Sequence, residues 1–118
     1  MGLRILFVED HTDTRDVLSR LLRHFGYEVD SVGTYESALA ALSKTQFHIL
    51  LSDVALPDGN GRDLVFEAKR RQHLIAVALS ACSSDQDIQL GKAAGFDHYL
   101  TKPLDMAQLR SLLRETVV

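Results

Sequence analysis

The chain reads as a doubly wound α/β sandwich, a parallel sheet with helices on both faces. Three observations predict it. Five short β-branched and apolar runs alternate with five stretches of helical spacing. Two of those runs, "ILFV" and "HILL", have almost no polar alternation, as a strand covered on both faces requires. Shared among five units, the 118 residues leave about 24 each, room for a strand, a helix and short loops.

The first strand is expected over Leu3 to Val8. A helix follows, opening near Thr12 as N-cap, carrying Val17, Leu18, Leu21, Leu22 and Phe25 on its inward face, and stopping at Gly26. Tyr27 to Val32 is the second strand, and Tyr35, Ala38, Leu39 and Leu42 mark the second helix. Phe47 to Ser52 is the third strand; the turn-rich "VALPDGNG" separates it from a helix over about Arg62 to Arg71. Leu74 to Leu79 is the fourth strand, followed by a helix from about Asp85 to Ala94 that ends before Gly95. Asp97 to Leu100 is the last strand, and the fifth helix, after Asp105, turns Leu109, Leu112 and Leu113 inward.

Composition narrows the function classes. With 46% hydrophobic and 25% charged residues the chain is an ordinary globular domain, and a chain of this length buries roughly two-thirds of its unfolded surface, enough for a core without metal or disulfide staples. One domain over residues 1–118 is expected. Net charge is −3 and the basic residues are scattered, so no nucleic-acid partner is expected. The apolar start is interrupted by Arg4 and closed by Glu9 and Asp10, too short for a signal sequence or a membrane span, and Leu6 stands where a myristoylation signal needs Ser or Thr. No membrane contact is expected, and the lone Cys82 suits a reducing compartment; a cytoplasmic location follows.

Folds of this class place their chemistry beyond the carboxyl ends of the strands. There the sequence puts Glu9 and Asp10 after the first strand, Asp53 after the third, Ser80 after the fourth, and Lys102 with Pro103 after the fifth. Three carboxylates on one rim raise one another's pKa unless positive charge joins them, and one Mg²⁺ together with Lys102 neutralises Glu9, Asp10 and Asp53. The five histidines lack ligand spacing and Cys82 stands alone, which argues against zinc.

In this order, "RILFVEDH", "LLSDVALPDGNG", "ALSA" and "AGFDHYLTKP" resemble the receiver domains of two-component response regulators across essentially the whole chain. The resemblance implies a flavodoxin-like sheet of strand order 2-1-3-4-5 with five helices. It implies that Asp53 accepts a phosphoryl group from a phosphohistidine on a histidine kinase or histidine phosphotransfer domain, with Lys102 as a second positive contact. Mg²⁺ would be held by Asp10, Asp53 and the backbone carbonyl of Ala55, with Glu9 acting largely through bound water, and the Lys102–Pro103 bond would be cis. Ser80 would donate to the phosphoryl oxygen, and Tyr99 would turn inward and alter the face of the fourth helix, fifth strand and fifth helix, a face that also suits a homodimer. Cys82 and Ala55 occupy positions that affect how long the acyl phosphate survives. The phrases "VEDHTDTRDVLSRLLRHFGYEV" and "AGFDHYLTKPLD" look most like receivers of hybrid sensor histidine kinases.

Other readings of the same residues exist. Glu9 and Asp10 could charge a helix start, Ser80 could be a loop hydroxyl, Lys102 a solvated cation and Tyr99 edge packing; Asp58 and Gly59 are turn chemistry. His11 is either a proton carrier or an exposed side chain. A nucleotide-binding enzyme would need G-x-G-x-x-G or the Walker sequence, both missing. An aspartyl-phosphate phosphohydrolase of the haloacid dehalogenase type would need a second Asp where Ala55 stands. A receiver-like interaction module that never takes up phosphate is opposed by the complete set of acids, hydroxyl and lysine.

Overall fold

The computed structural model describes residues 2–81 and 84–116, so the expectation attached to Cys82 lies outside the described residues. In chain order the elements are β1 (Arg4–Val8), α1 (Thr12–His24), β2 (Glu28–Val32), α2 (Tyr35–Lys44), β3 (Ile49–Asp53), β4 (Ala55–Leu56), β5 (Gly59–Asn60), α3 (Gly61–Arg71), β6 (Ile75–Ser80), α4 (Asp85–Ala94), β7 (His98–Thr101) and α5 (Met106–Thr116). The five expected strands are β1, β2, β3, β6 and β7. They pair in parallel in the order β2-β1-β3-β6-β7, which is the expected 2-1-3-4-5. The small strands β4 and β5 pair antiparallel, Ala55 with Asn60 and Leu56 with Gly59, inside the stretch read as a turn.

Strand residues alternate between two cores, because successive side chains leave a strand on opposite sides. Leu6, Val8, Leu50, Ala76 and Ala78 face one core with Ala38 and Leu42 of α2, Leu64, Val65 and Ala68 of α3, and Phe96. Ile5, Phe7, Ile49, Leu51, Val77 and Leu79 face the other with Leu18 and Leu22 of α1 and Leu109 and Leu113 of α5. With apolar side chains on both faces, the central strands show the uninterrupted runs seen in the sequence.

One inward assignment fails. Val17 is 57% exposed, whereas Ser19, two residues on, is only 2% exposed. Leu18 and Leu22 centre the buried face of α1, and one step round the helix from Leu18 lies Ser19 on one side and Val17 on the other. The sheet covers the serine side. Helix ends are set by short polar caps: the Thr34 hydroxyl accepts from the Ser37 amide at 3.0 Å and the Asn60 side chain from the Asp63 amide at 2.9 Å. At the far end of α4 Gly95 takes φ of 129°, a conformation that an L side chain disfavours.

Candidate functional site

The strand order reverses at β1, whose neighbours β2 and β3 are reached in opposite directions, and the carboxyl ends of β1, β3, β6 and β7 open on one crevice there. Asp53 is the last residue of β3. Its neighbour Val54 donates its amide to the Leu79 carbonyl at 3.0 Å, which extends the β3–β6 pairing just past the carboxylate and fixes its height. Glu9 follows β1 directly. The Glu9 amide donates to the Val32 carbonyl at 3.0 Å, and its own carbonyl accepts from the Arg15 guanidinium at 2.9 Å, so the loop is anchored to β2 and to α1. Lys102 follows β7, its amide donating to the Ser80 carbonyl at 2.8 Å, and the Lys102–Pro103 bond is cis.

These anchors bring the predicted charges together. The Lys102 Nζ donates to Glu9 Oε1 at 2.8 Å and lies 2.7 Å from Asp53 Oδ1 and 2.9 Å from Oδ2. Glu9 is 1% exposed and Asp53 6%, while Asp10 stands open to solvent. One carboxylate oxygen from each of Glu9, Asp10 and Asp53 lies within 4.8 Å of the others. Burial pushes the Asp53 carboxyl up to about 7, reinforced by its hydrogen bond and charge repulsion with Glu9 and opposed by Lys102. Burial also acts against ionised Glu9, but hydrogen bonds from Asp53, Lys102 and the His11 amide hold it below the usual carboxylate range. Burial likewise opposes the Lys102 ammonium, and the two carboxylates outweigh it and raise its pKa.

One ammonium cannot balance three carboxylates, and the donor set is of hard oxygens only. That chemistry fits a small hard dication, and solvent-open Asp10 leaves room for the water ligands such an ion keeps. A cleft of about 440 Å³ above the acids is lined by Asp10, Asp53, Ala55, Ser80, Tyr99 and Lys102. Every predicted site residue therefore belongs to this one place, with Glu9 beneath the cleft floor. Tyr99 is half-buried, and its ring lies so close to Gly91 of α4 that an added Cβ there would stand 3.1 Å from it.

Sequence reasoning missed several contributors. Arg62, Asp87 and Gly91 also line the cleft, from α3 and α4. Their only sequence signal is nearness to helix starts or to a small-residue stretch. Arg15 gave none, because its partner is a backbone carbonyl. His11 proves to be the N-cap of α1, its ring Nδ1 accepting from the Thr14 amide at 3.3 Å. The cap thus falls one residue before Thr12, where the sequence places it because Thr is a preferred N-cap and His is not.

Comparison with known proteins agrees with this geometry. The family model for the response regulator receiver domain matches residues 5–114. A 14.6 kDa protein of Leptolyngbya boryana is 37% identical over 114 residues, 94% of this chain and 87% of that one. The sensory transduction protein RegX3 of Mycolicibacterium smegmatis is 34% identical, and the chain spans only half of its length. Among solved structures, a CheY-like receiver domain from Methanospirillum hungatei superposes with a TM-score of 0.92 at 30% identity, over 98% of this chain and 94% of that one. The receiver domain of sensor histidine kinase PA1611 from Pseudomonas aeruginosa, which carries magnesium coordinated in its active site cleft, gives 0.84 at 28% identity over 98% and 97%. A family match reaching from β1 into α5, on a fold that superposes nearly end to end, settles the relationship: the chain belongs to the response regulator receiver domains of two-component systems.

Proposed function

We propose that residues 1–118 form one receiver domain in which Asp53 accepts a phosphoryl group from a phosphohistidine, in a Mg²⁺-dependent transfer. The observation that carries this reading is the position of the Asp53 carboxylate: 6% exposed, held by the Lys102 ammonium at 2.7 Å, and lining the cleft. An Asp53 oxygen attacks phosphorus, the phosphorus–nitrogen bond breaks, and the imidazole leaves with a proton, giving an acyl phosphate. Lys102 stays between Glu9 and Asp53 and offsets charge on the incoming group. Asp10, Asp53 and the Ala55 carbonyl would hold the magnesium ion, with Glu9 acting through water. When bound, the ion neutralises phosphoryl oxygens and helps to align the attack. Support for that metal comes from the acid cluster and from the magnesium in the similar PA1611 receiver.

The partner is a histidine kinase or a histidine phosphotransfer domain. An apolar groove of about 490 Å³ runs from exposed Val17 and half-buried Leu21 of α1 past Pro103 and Met106 and includes Lys102 itself, so it ends at the acid site. A partner helix bearing phosphohistidine lying in this groove would sit beside Asp53. After transfer, the Ser80 hydroxyl donates to a phosphoryl oxygen and Tyr99 turns into the space that the loop leaves, changing the face made by α4, β7 and α5. That face is also where a second copy would pair. We place the domain in the cytoplasm, where ATP-fed kinases act, and among the receivers of hybrid sensor kinases. Among the described residues no helix is long and apolar enough to cross a membrane.

The test is incubation with Mg²⁺ and acetyl phosphate, followed by intact mass. One added phosphoryl group is expected for the wild type and none for Asp53→Asn or for protein held in EDTA. Uptake that survives Asp53→Asn unchanged would overturn the assignment.

A further inference from the structure

The tip of the β4–β5 hairpin is tied to a helix distant in sequence. The Asp58 carboxylate accepts from the Tyr35 amide at 2.7 Å through Oδ1 and from the Glu36 amide at 3.1 Å through Oδ2. These are the first two amides of α2, and the third, of Ser37, is taken by the Thr34 hydroxyl. Thr34 is thus an ordinary N-cap, whereas Asp58 satisfies the remaining donors from another element. The next residue packs too: a Cβ on Gly59 would lie 3.1 Å from the Tyr35 ring, so the ring rests on the hairpin backbone. At its other end the hairpin is closed by the Ala55–Asn60 pairing, and Asn60 caps α3. Its first residue, Ala55, lines the cleft.

We propose that Asp58 is a positioning residue for the cation of the acid cluster. Its carboxylate fastens the hairpin to the first turn of α2, and the hairpin in turn sets the place of the Ala55 carbonyl. An exposed turn acid thereby acts on the site through the backbone, without touching metal or phosphate. The inference rests on the proposed Mg²⁺ site and adds to it a residue that turn chemistry alone would leave without a role.

The test is Mg²⁺ binding to the unphosphorylated domain by calorimetry, with hydrogen exchange of the Tyr35 and Glu36 amides and thermal unfolding in EDTA alongside. Four proteins are compared: wild type, Asp58→Ala, Asp58→Asn and Thr34→Ala. Thr34→Ala removes a cap from the same helix without touching the hairpin. Asp58→Ala is expected to weaken Mg²⁺ binding about tenfold, as loss of outer-shell support does, and to speed exchange at both amides. Asp58→Asn retains one acceptor and should fall between Ala and wild type, and Thr34→Ala should bind as wild type does. Unchanged affinity in Asp58→Ala would overturn the proposal. Equal losses in Asp58→Ala and Thr34→Ala would do so as well, because Asp58 would then act only by stabilising α2. A wild type that binds no Mg²⁺ would overturn the site reading itself, and this inference with it.

Discussion

Replacing Asp53 by Asn should make the metal-free protein more stable at neutral pH, although it destroys the phosphoacceptor. A carboxyl moved from 3.8 up to about 7 by folding costs the ionised folded state as much as roughly 4 kcal/mol. Part of this returns through Lys102 and Glu9, which folding shifts in their favourable directions, so a net gain of about 1–3 kcal/mol is expected for Asn. The sign follows from proton binding. The folded state holds the Asp53 proton more tightly than the unfolded chain does, so wild-type stability falls as pH rises between about 4 and 7. The asparagine variant lacks this loss. The gap between the two proteins should open across that window, be complete above pH 7, and close toward pH 4. Urea unfolding in EDTA at several pH values measures it. Millimolar Mg²⁺ should narrow the gap from the other side, because an ion that binds only the folded wild type stabilises it in proportion to occupancy. A variant no more stable than wild type at pH 8, or a gap that widens on acidification, would refute the claim that burial beside Glu9 holds the Asp53 carboxyl up.

Ser80→Ala should still take up phosphate from acetyl phosphate, but lose most of the amide chemical-shift change across α4, β7 and α5; an undiminished change would remove Ser80 from the switch. Val17→Asp should slow transfer from a phosphohistidine partner by about tenfold relative to transfer from acetyl phosphate, as the loss of one well-buried contact does, and equal rates would place the docking groove elsewhere. Ser19→Ala should stabilise the fold by about 1 kcal/mol, because the Ser19 hydroxyl is buried without a hydrogen-bond partner; thermal or urea unfolding reads this, and a clear loss of stability would reveal a bound water in that place.

Much of this was legible in the sequence because both determinants are local. Strands buried on two faces must be written as continuous apolar runs, so "ILFV" and "HILL" announced β1 and β3, and the parallel topology then required Glu9, Asp53, Ser80 and Lys102 to share a rim. What escaped depends on which neighbour arrives. The apolar stripe of α1 gave its direction but not which flank the sheet covers, so Val17 was placed inside and Ser19 was overlooked. A ladder of two residue pairs is too short to show alternation, so β4 and β5 merged into a turn. Asp58 looked like turn chemistry, since its partners in α2 stand 22 and 23 residues away. Buried Gln72 was equally silent: its side chain ties the Phe47 amide to the carbonyls of Leu42 and Thr45, contacts that no local pattern announces.

Phosphotransfer to Asp53 requires that phosphorus become bonded to an oxygen of that one carboxylate. Acetyl phosphate treatment in Mg²⁺, followed by borohydride reduction, turns an aspartyl phosphate into homoserine, and peptide mass spectrometry then locates it. Homoserine at position 53 alone is the expectation. Homoserine at position 10 or elsewhere, or an untouched aspartate at 53 in protein that has gained a phosphoryl group, would contradict it.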